Sequence, residues 1–121
     1  MNVGLFEHRQ APLASRRVFY NRVARSALLS LALIAGTLAV GMAGYGALTD
    51  LKPIQAFHQA AMLLSGMGPV HPEAMQTTAA IIFESLYAIF CGVMLLAATA
   101  VMIAPVVHRL LHRFHLEGRE K

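Results

Sequence analysis

Two long apolar runs, at about residues 26–48 and 77–107, constrain this 121-residue chain more than any other feature. A helix needs about 20 mostly apolar residues to cross a bilayer, and each run is long enough. The composition agrees, because 57% of the residues are hydrophobic and only 13% are charged. At this length the chain forms at most one domain. We therefore predict an all-α integral membrane protein with two transmembrane helices.

The positive charges lie outside the two runs. Five arginines precede the first run, three arginines and a lysine follow the second, and only Lys52 lies between them. By the positive-inside rule both termini are cytoplasmic, in a bacterial-type inner or plasma membrane, and residues 49–77 face outward. The basic ends suit anionic headgroups, so membrane lipid is an expected partner. The chain has no zinc-finger, helix-turn-helix or aromatic-basic pattern, and we expect no nucleic acid partner.

The N-terminal segment, residues 1–25, has two interpretations. Ser15 is a suitable cap for a short interfacial helix whose arginine side chains extend to the headgroups. The alternative is a disordered basic leader that only sets the topology. A cleaved signal peptide is less favoured, because its apolar core is normally only 7 to 15 residues long.

The stretch between the runs is too short to cross a membrane and unusually apolar for a surface loop. We predict a short helix over residues 53–64, with Thr49 or Asp50 as its cap and Pro53 in its first turn. A loop follows at 65–72, where two glycines are free to take positive φ. Non-helical backbone at membrane depth must be buried in protein or line a water-filled cavity, which indicates a re-entrant segment.

The first span, residues 26–48, contains a stripe of small residues. Ala35, Ala39 and Ala43 recur at four-residue spacing, and three glycines, Gly36, Gly41 and Gly44, lie close by, which favours close packing on other helices. The second span, 77–107, would be about 46 Å long as a helix against a hydrocarbon thickness of about 30 Å. It must therefore tilt, bend or project into the cytoplasm.

Two positions in the second span are candidate bends, and the basic tail at 108–121 continues the helical register. Gly92 and Pro105 are the candidate hinge or gate residues, because both weaken a helix locally. The tail carries His108, His112 and His115 at a spacing that can bind a transition metal. Without cysteine or carboxylate partners an amphipathic extension is favoured, and we predict no metal site. The lone cysteine, Cys91, is predicted to be a small packing residue.

The order of elements and several motifs resemble the pore module of the potassium-channel superfamily. The filter and exit pattern of that family, T-V-G-Y-G-D-x-x-P, aligns without a gap with residues 64–72, where both glycines and the last proline coincide. The second span contains a series of residues similar to one in the inner helix of many members of that family. That series consists here of Phe83, Tyr87, Ala88 and Gly92.

The resemblance covers about residues 26–107 and implies a homotetramer with a central pore. It implies a passive channel for a monovalent cation such as potassium, with no other cofactor and no enzymatic activity. The filter would be formed by the backbone carbonyls of Ser65, Gly66, Met67 and Gly68. Leu64 stands where the family has a threonine, and Pro69 stands where it has an anchoring aspartate, so the innermost ion site and the support of the filter must differ.

Two ionisable residues are candidates for supporting the loop or for shaping the field in the pore. Glu84 is the one carboxylate inside an apolar span, and such acids usually face a cavity or the protein interior. It can accept hydrogen bonds from the loop amides, Ser85 or a neighbouring subunit, or it can attract cations; a protonated residue near the interface is the alternative. His58 is predicted to be a hydrogen-bonding buttress, and His71 a solvated residue of the outer mouth.

A second function stays open beside the channel. The two glycines of the loop are also typical of a tight structural turn, and the chain would then be a non-conducting, channel-like scaffold or accessory subunit. That function implies a partner protein, and a regulatory partner is also possible for the channel. The sequence contains no HExxH motif, nucleophile–base pair or paired carboxylates for an enzyme.

Overall fold

The computed structural model describes residues 15–118, without the side chains of residues 116 and 117. The elements are α1 at Arg16–Leu48, α2 at Pro53–Leu64, a 3-10 turn at Pro72–Ala74 and α3 at Thr78–Glu117. No strand occurs in this part of the chain, so the predicted all-α class is confirmed for it. Residues 1–14 of the predicted N-terminal segment and residues 119–121 of the predicted tail lie outside the described residues.

The two long helices α1 and α3 are each long and apolar enough to cross a membrane. Large aliphatic side chains cover their outward surfaces, with Leu28 68%, Ile89 68% and Leu96 74% exposed. A surface of this kind is unfavourable in water and suits lipid. The coarse part of the predicted fold, two apolar helices with a short helix between them, is therefore present.

Helix α1 begins at Arg16 and continues without a break to Leu48. Residues 16–25, with four of the five N-terminal arginines, therefore form the first turns of the same helix that contains the predicted first span, and not a separate short helix. Ser15 is the N-cap residue, but its side chain makes no capping hydrogen bond. Its carbonyl oxygen instead accepts the amides of Val18 and Phe19 at 2.9 and 3.2 Å.

The face of α1 that packs on the other helices is not the predicted alanine stripe. The three alanines of that stripe are exposed, whereas the buried residues of α1 are Ser30, Thr37, Gly41 and Tyr45. Both sets contain the four-residue spacing of one helix face. The span packs closely on other helices as predicted, but through Gly41 and Gly44 and not through the alanines. Spacing alone does not decide between two such faces.

Glycines on the buried side of α1 allow aromatic side chains of α3 to approach the backbone. A Cβ atom added at Gly41 would collide with the Tyr87 hydroxyl and lie 2.8 Å from the Cβ of Ala60. One added at Gly44 would collide with the Phe83 ring. The Phe83 ring stacks on that of Tyr87, with centroids 5.6 Å apart. Aromatic packing of this kind adds to the stabilisation from burial.

Polar contacts along the same interface show that α1 and α3 run antiparallel. The Tyr87 hydroxyl donates to the carbonyl oxygen of Thr37 at 2.9 Å, and Ser30 Oγ donates to that of Ala98 at 2.7 Å. At the far end, the Arg109 guanidinium lies 4.2 Å from the centre of the Phe19 ring. The basic start of α1 and the basic end of α3 therefore lie at the same end of the molecule.

Helix α2 packs into the core through its small and aliphatic residues. Ala56, Ala60 and Leu64 form one buried cluster with residues of the long helices, Tyr45, Tyr87 and Cys91. The bounds of α2 coincide with those predicted for the short helix, and Cys91 has the packing role expected of it. Pro53 lies at the start of the helix, where a missing amide donor costs nothing.

The predicted cap of α2 is wrong. Lys52 is the N-cap residue, and its amide donates to Gln55 Oε1 at 3.0 Å. Thr49 is used at the end of α1 instead, where its hydroxyl donates to the carbonyl oxygen of Tyr45. Four residues, 49–52, separate the two helices, and the Thr49 hydroxyl is used at the end of α1.

Candidate functional site

The candidate site is the loop that follows α2, and its first residues form a helix C-cap. The amide of Gly66 donates to the carbonyl oxygen of Leu63 at 3.1 Å, and that of Met67 donates to Met62 at 3.0 Å. This pair of bonds is the Schellman motif, which needs a residue with positive φ after the cap. Gly66 has φ +80°, so its conformation has a structural reason independent of any ion.

Beyond the cap, the sign of φ alternates along the loop. Ser65 has φ −76°, Gly66 and Gly68 have φ +80° and +97°, and no non-glycine residue among those described has positive φ. The predicted positive φ at both glycines is confirmed.

The carbonyl oxygens of the loop are free. In the part of the chain that the structure describes, those of Ser65, Gly66, Met67 and Gly68 accept no hydrogen bond. The three residues from Ser65 to Met67 are exposed, Met67 by 75%. Backbone acceptors without a donor must be satisfied by water, by another chain or by a cation.

The far side of the loop is fixed by Gln59, a residue of α2 that the sequence analysis missed. Its Oε1 accepts the amides of Val70 and His71, both at 2.9 Å. Its side chain is fully buried, and its Nε2 donates to Glu84 Oε1 on α3. The available signal was a polar residue on the buried face of a short amphipathic helix, between Ala56 and Leu63.

Glu84 is the acceptor at the centre of this network, which we call the Gln59–Glu84–Tyr45 network. Its Oε1 also accepts the Tyr45 hydroxyl at 3.2 Å, so a single carboxylate joins all three helices. It does not accept the loop amides itself, because Gln59 lies between. Ser85, another expected partner, donates to the carbonyl oxygen of Ile81 instead. Glu84 therefore supports the loop indirectly, by orienting the amide of Gln59.

The two residues that depart most from the potassium-channel pattern have separate structural consequences. Leu64 is only 7% exposed and packs in the hydrophobic core, so its side chain is occupied with packing. Pro69 is exposed and has no amide to donate. The loop is held at the next two residues instead, where Gln59 accepts the amides of Val70 and His71.

Two histidines that are 13 residues apart in sequence meet beside the loop. The rings of His58 on α2 and His71 on the loop are 5.8 Å apart and nearly perpendicular. His71 Nδ1 lies 3.1 Å from Glu73 Oε1. Together the histidines border an open groove of about 420 Å³. Within residues 15–118 His58 makes no hydrogen bond, so its predicted role as a hydrogen-bonding buttress stays a prediction.

Glu73 is a solvent-exposed carboxylate with a lowered pKa. A hydrogen bond from its own backbone amide contributes most to lowering the pKa, and the hydrogen bond with His71 contributes next. Both stabilise the charged form of the carboxylate, because they place donors on it. Glu73 is therefore a fixed negative group on one side of the His71 ring.

The remaining predicted residues lie on α3, away from the loop. Gly92 and Pro105 are inside one continuous helix, and Pro105 comes about 32 Å along the axis after Glu84 at the usual rise. His108, His112 and His115 are exposed near its end. No group of three or more metal-ligating side chains is arranged to hold a metal ion among the described residues.

Comparison of the chain with family models, with curated proteins and with solved structures finds no match. The resemblance to the potassium-channel pore module is therefore carried only by the residues of the loop and of α3. The function that follows is argued from the geometry of those residues.

Proposed function

We propose that this protein is a passive channel for monovalent cations such as potassium, formed by four copies of the chain in a membrane. The observation that carries the proposal is the row of free carbonyl oxygens from Ser65 to Gly68, at the end of a short helix held between two apolar helices. Rings of backbone carbonyls replace the water of a bare cation without adding fixed charge.

The electrostatics of α2 suit a cation near its C-terminal end. Aligned peptide dipoles give a helix C-terminus about half a negative charge. No basic side chain lies in the last turn of α2, so this partial charge is not neutralised locally. The free carbonyls begin directly after that end, and both features attract a cation to the same place.

The exposed surface of α2 supports assembly into a larger unit. Ile54 is 71% exposed and Phe57 is 42% exposed, although both belong to a helix that is otherwise packed against α1 and α3. One chain supplies only one loop, and a ring of ligands needs several loops around an axis. A tetramer would cover part of this surface of α2 and bring four loops together, with membrane lipid on the outward faces of α1 and α3.

The remaining residues have roles that follow from this arrangement. The basic ends of α1 and α3 lie together, and the positive-inside rule makes that end cytoplasmic and the loop end external. Glu84 holds the loop through Gln59, while Leu64 closes the core beneath it. Gly92 and Pro105, nearer the cytoplasmic end of α3, are then the positions where the helix can bend to open or close the pore.

Flux through liposomes tests the proposal. Protein whose tetrameric state has been established by cross-linking should take up rubidium into potassium-loaded vesicles, and external potassium should compete. Gly68→Ala forces a side chain into positive φ, and we expect it to abolish the flux or change the order of cation preference. Gly46→Ala is the matched control, because an added Cβ there meets nothing within 4 Å. Folded tetramers that pass no cation would contradict the channel.

A non-conducting scaffold or accessory subunit is the second candidate, favoured by the Schellman motif. That motif explains Gly66 as the end of a helix, with no need for an ion. The scaffold predicts tight tetramers or a complex with a partner protein in which rubidium uptake stays at the level of empty vesicles. It also predicts that Gly68→Ala lowers stability without any effect on ion movement.

A further inference from the structure

We propose that His58 and His71 together bind one divalent transition-metal ion, such as Zn²⁺, at the loop end of the molecule, with Glu73 as the carboxylate that orients His71. The site is distinct from the carbonyl row and uses side chains on the groove side of α2. It does not depend on the channel function, since the residues that form it contribute no ligand to the cation pathway.

The positions of the two rings suit a shared metal ion. Two imidazoles bound to one tetrahedral zinc ion at about 2.0–2.1 Å would have ring centroids roughly 5.2 Å apart. The observed separation is 5.8 Å, and the planes meet at 78°. The His58 side chain is exposed and makes no hydrogen bond within residues 15–118, so it is free to turn towards a shared ion, while the amide of His71 is held by Gln59.

Glu73 supplies the second feature of a built site. Metal-binding histidines commonly donate their other ring N–H to a carboxylate, which fixes the tautomer and the orientation of the ring. Here Glu73 Oε1 lies 3.1 Å from Nδ1 of His71, which leaves Nε2 with its lone pair free for a metal. The lone pair of neutral imidazole favours zinc, copper, nickel and cobalt over magnesium and calcium.

The surroundings leave room for a hydrated ion. The groove of about 420 Å³ is open to the outside, and its other walls are Ile54, Gln55, Phe57 and Ala61. Two protein nitrogens and two or more waters would complete the coordination. Such a site is incomplete by the standard of a structural zinc site, which has four protein ligands, so its metal should exchange readily.

Calorimetric titration of the detergent-solubilised full chain with Zn²⁺ tests the site. The protein is purified without a polyhistidine tag, and the other four histidines, His8, His108, His112 and His115, are replaced by glutamine. We expect one zinc ion per chain and no heat with Mg²⁺. Bound Cu²⁺ should show an electron paramagnetic resonance signal from imidazole nitrogen.

Three substitutions in that background separate ligands from the supporting carboxylate. His58→Gln or His71→Gln should abolish saturable zinc binding, whereas Glu73→Gln should weaken it by about 10- to 100-fold, as is usual for a carboxylate that orients a metal-binding histidine. Circular dichroism melts without metal check that each variant is folded. No zinc binding in the background, or binding that survives replacement of both histidines, would overturn the site whatever the flux assays show.

Discussion

The interface between α1 and α3 and the loop after α2 are stabilised in different ways. The interface is formed by small residues and aromatic rings in contact, such as Gly44 against Phe83, with a few hydrogen bonds across it. The loop is held by hydrogen bonds to its amides. Backbone carbonyls of α2 accept those of Gly66 and Met67, and Gln59 accepts those of Val70 and His71, while the carbonyls of residues 65–68 accept none among the described residues. The first region determines the shape of the molecule, and the second presents chemical groups from that shape.

The comparison shows that support and function can be divided between the two sides of one loop. The amides of Val70 and His71 are turned inward to Gln59, and the carbonyl oxygens before them have no donor. A loop held at both its amides and its carbonyls would be as rigid, but it would offer nothing to a ligand. Because hydrogen bonds to its amides hold the loop in place, its carbonyl oxygens remain available to a ligand.

The largest effect is expected from filling the interface at Gly41. Gly41→Ala should lower the free energy of unfolding by about 1–3 kcal/mol, as overpacking usually does, because its Cβ would collide with Tyr87 and crowd Ala60. Gly46→Ala adds the same methyl group on the same helix, where nothing lies within 4 Å. Unfolding in detergent, followed by circular dichroism, measures both. Equal stability of the two variants would show that close packing at Gly41 is not what stabilises this interface.

A smaller and more local effect is expected from Glu84. Glu84→Ala removes the acceptor that orients Gln59, so the amides of Val70 and His71 should exchange with solvent about 2- to 10-fold faster, the range for one hydrogen bond of 0.5–1.5 kcal/mol. Glu84→Gln keeps an acceptor oxygen and should change the exchange less. Hydrogen–deuterium exchange followed by mass spectrometry gives the rates for peptides of the loop and of α1. Faster exchange spread evenly over both would contradict a role confined to the loop.

Local signals in the sequence were sufficient for part of this structure. Pro53 and the glycine after Ser65 determine where α2 begins and ends, because each favours one backbone conformation at a helix terminus. The positive φ at Gly68 followed from the same kind of signal. These features depend on neighbouring residues in the chain, and no knowledge of the tertiary structure is needed to predict them.

The features that were missed depend on contacts between distant residues. Gln59 meets amides 11 and 12 positions away and a carboxylate 25 positions away, and nothing near it in sequence indicates those partners. His58 and His71 come together only because the loop folds back along α2. Small residues lie on two faces of α1 at similar spacing, and only the contacts with the other helices show that the face of Gly41 and Gly44 is the one that packs.

The smallest expected effect lies at the opposite end of the interface, where Arg109 covers the ring of Phe19. A cation–π contact at an exposed site contributes about 0.5–1 kcal/mol, so Phe19→Leu should lower the free energy of unfolding by about that amount. Tyr20→Leu is the matched control, because it removes the adjacent ring, which is 66% exposed. In an Arg109→Gln background, Phe19→Leu should lose most of its effect, since the cation is gone. An undiminished effect there would mean that Phe19 acts by burying apolar surface, and that apolar contact extends along the whole interface, unlike the loop.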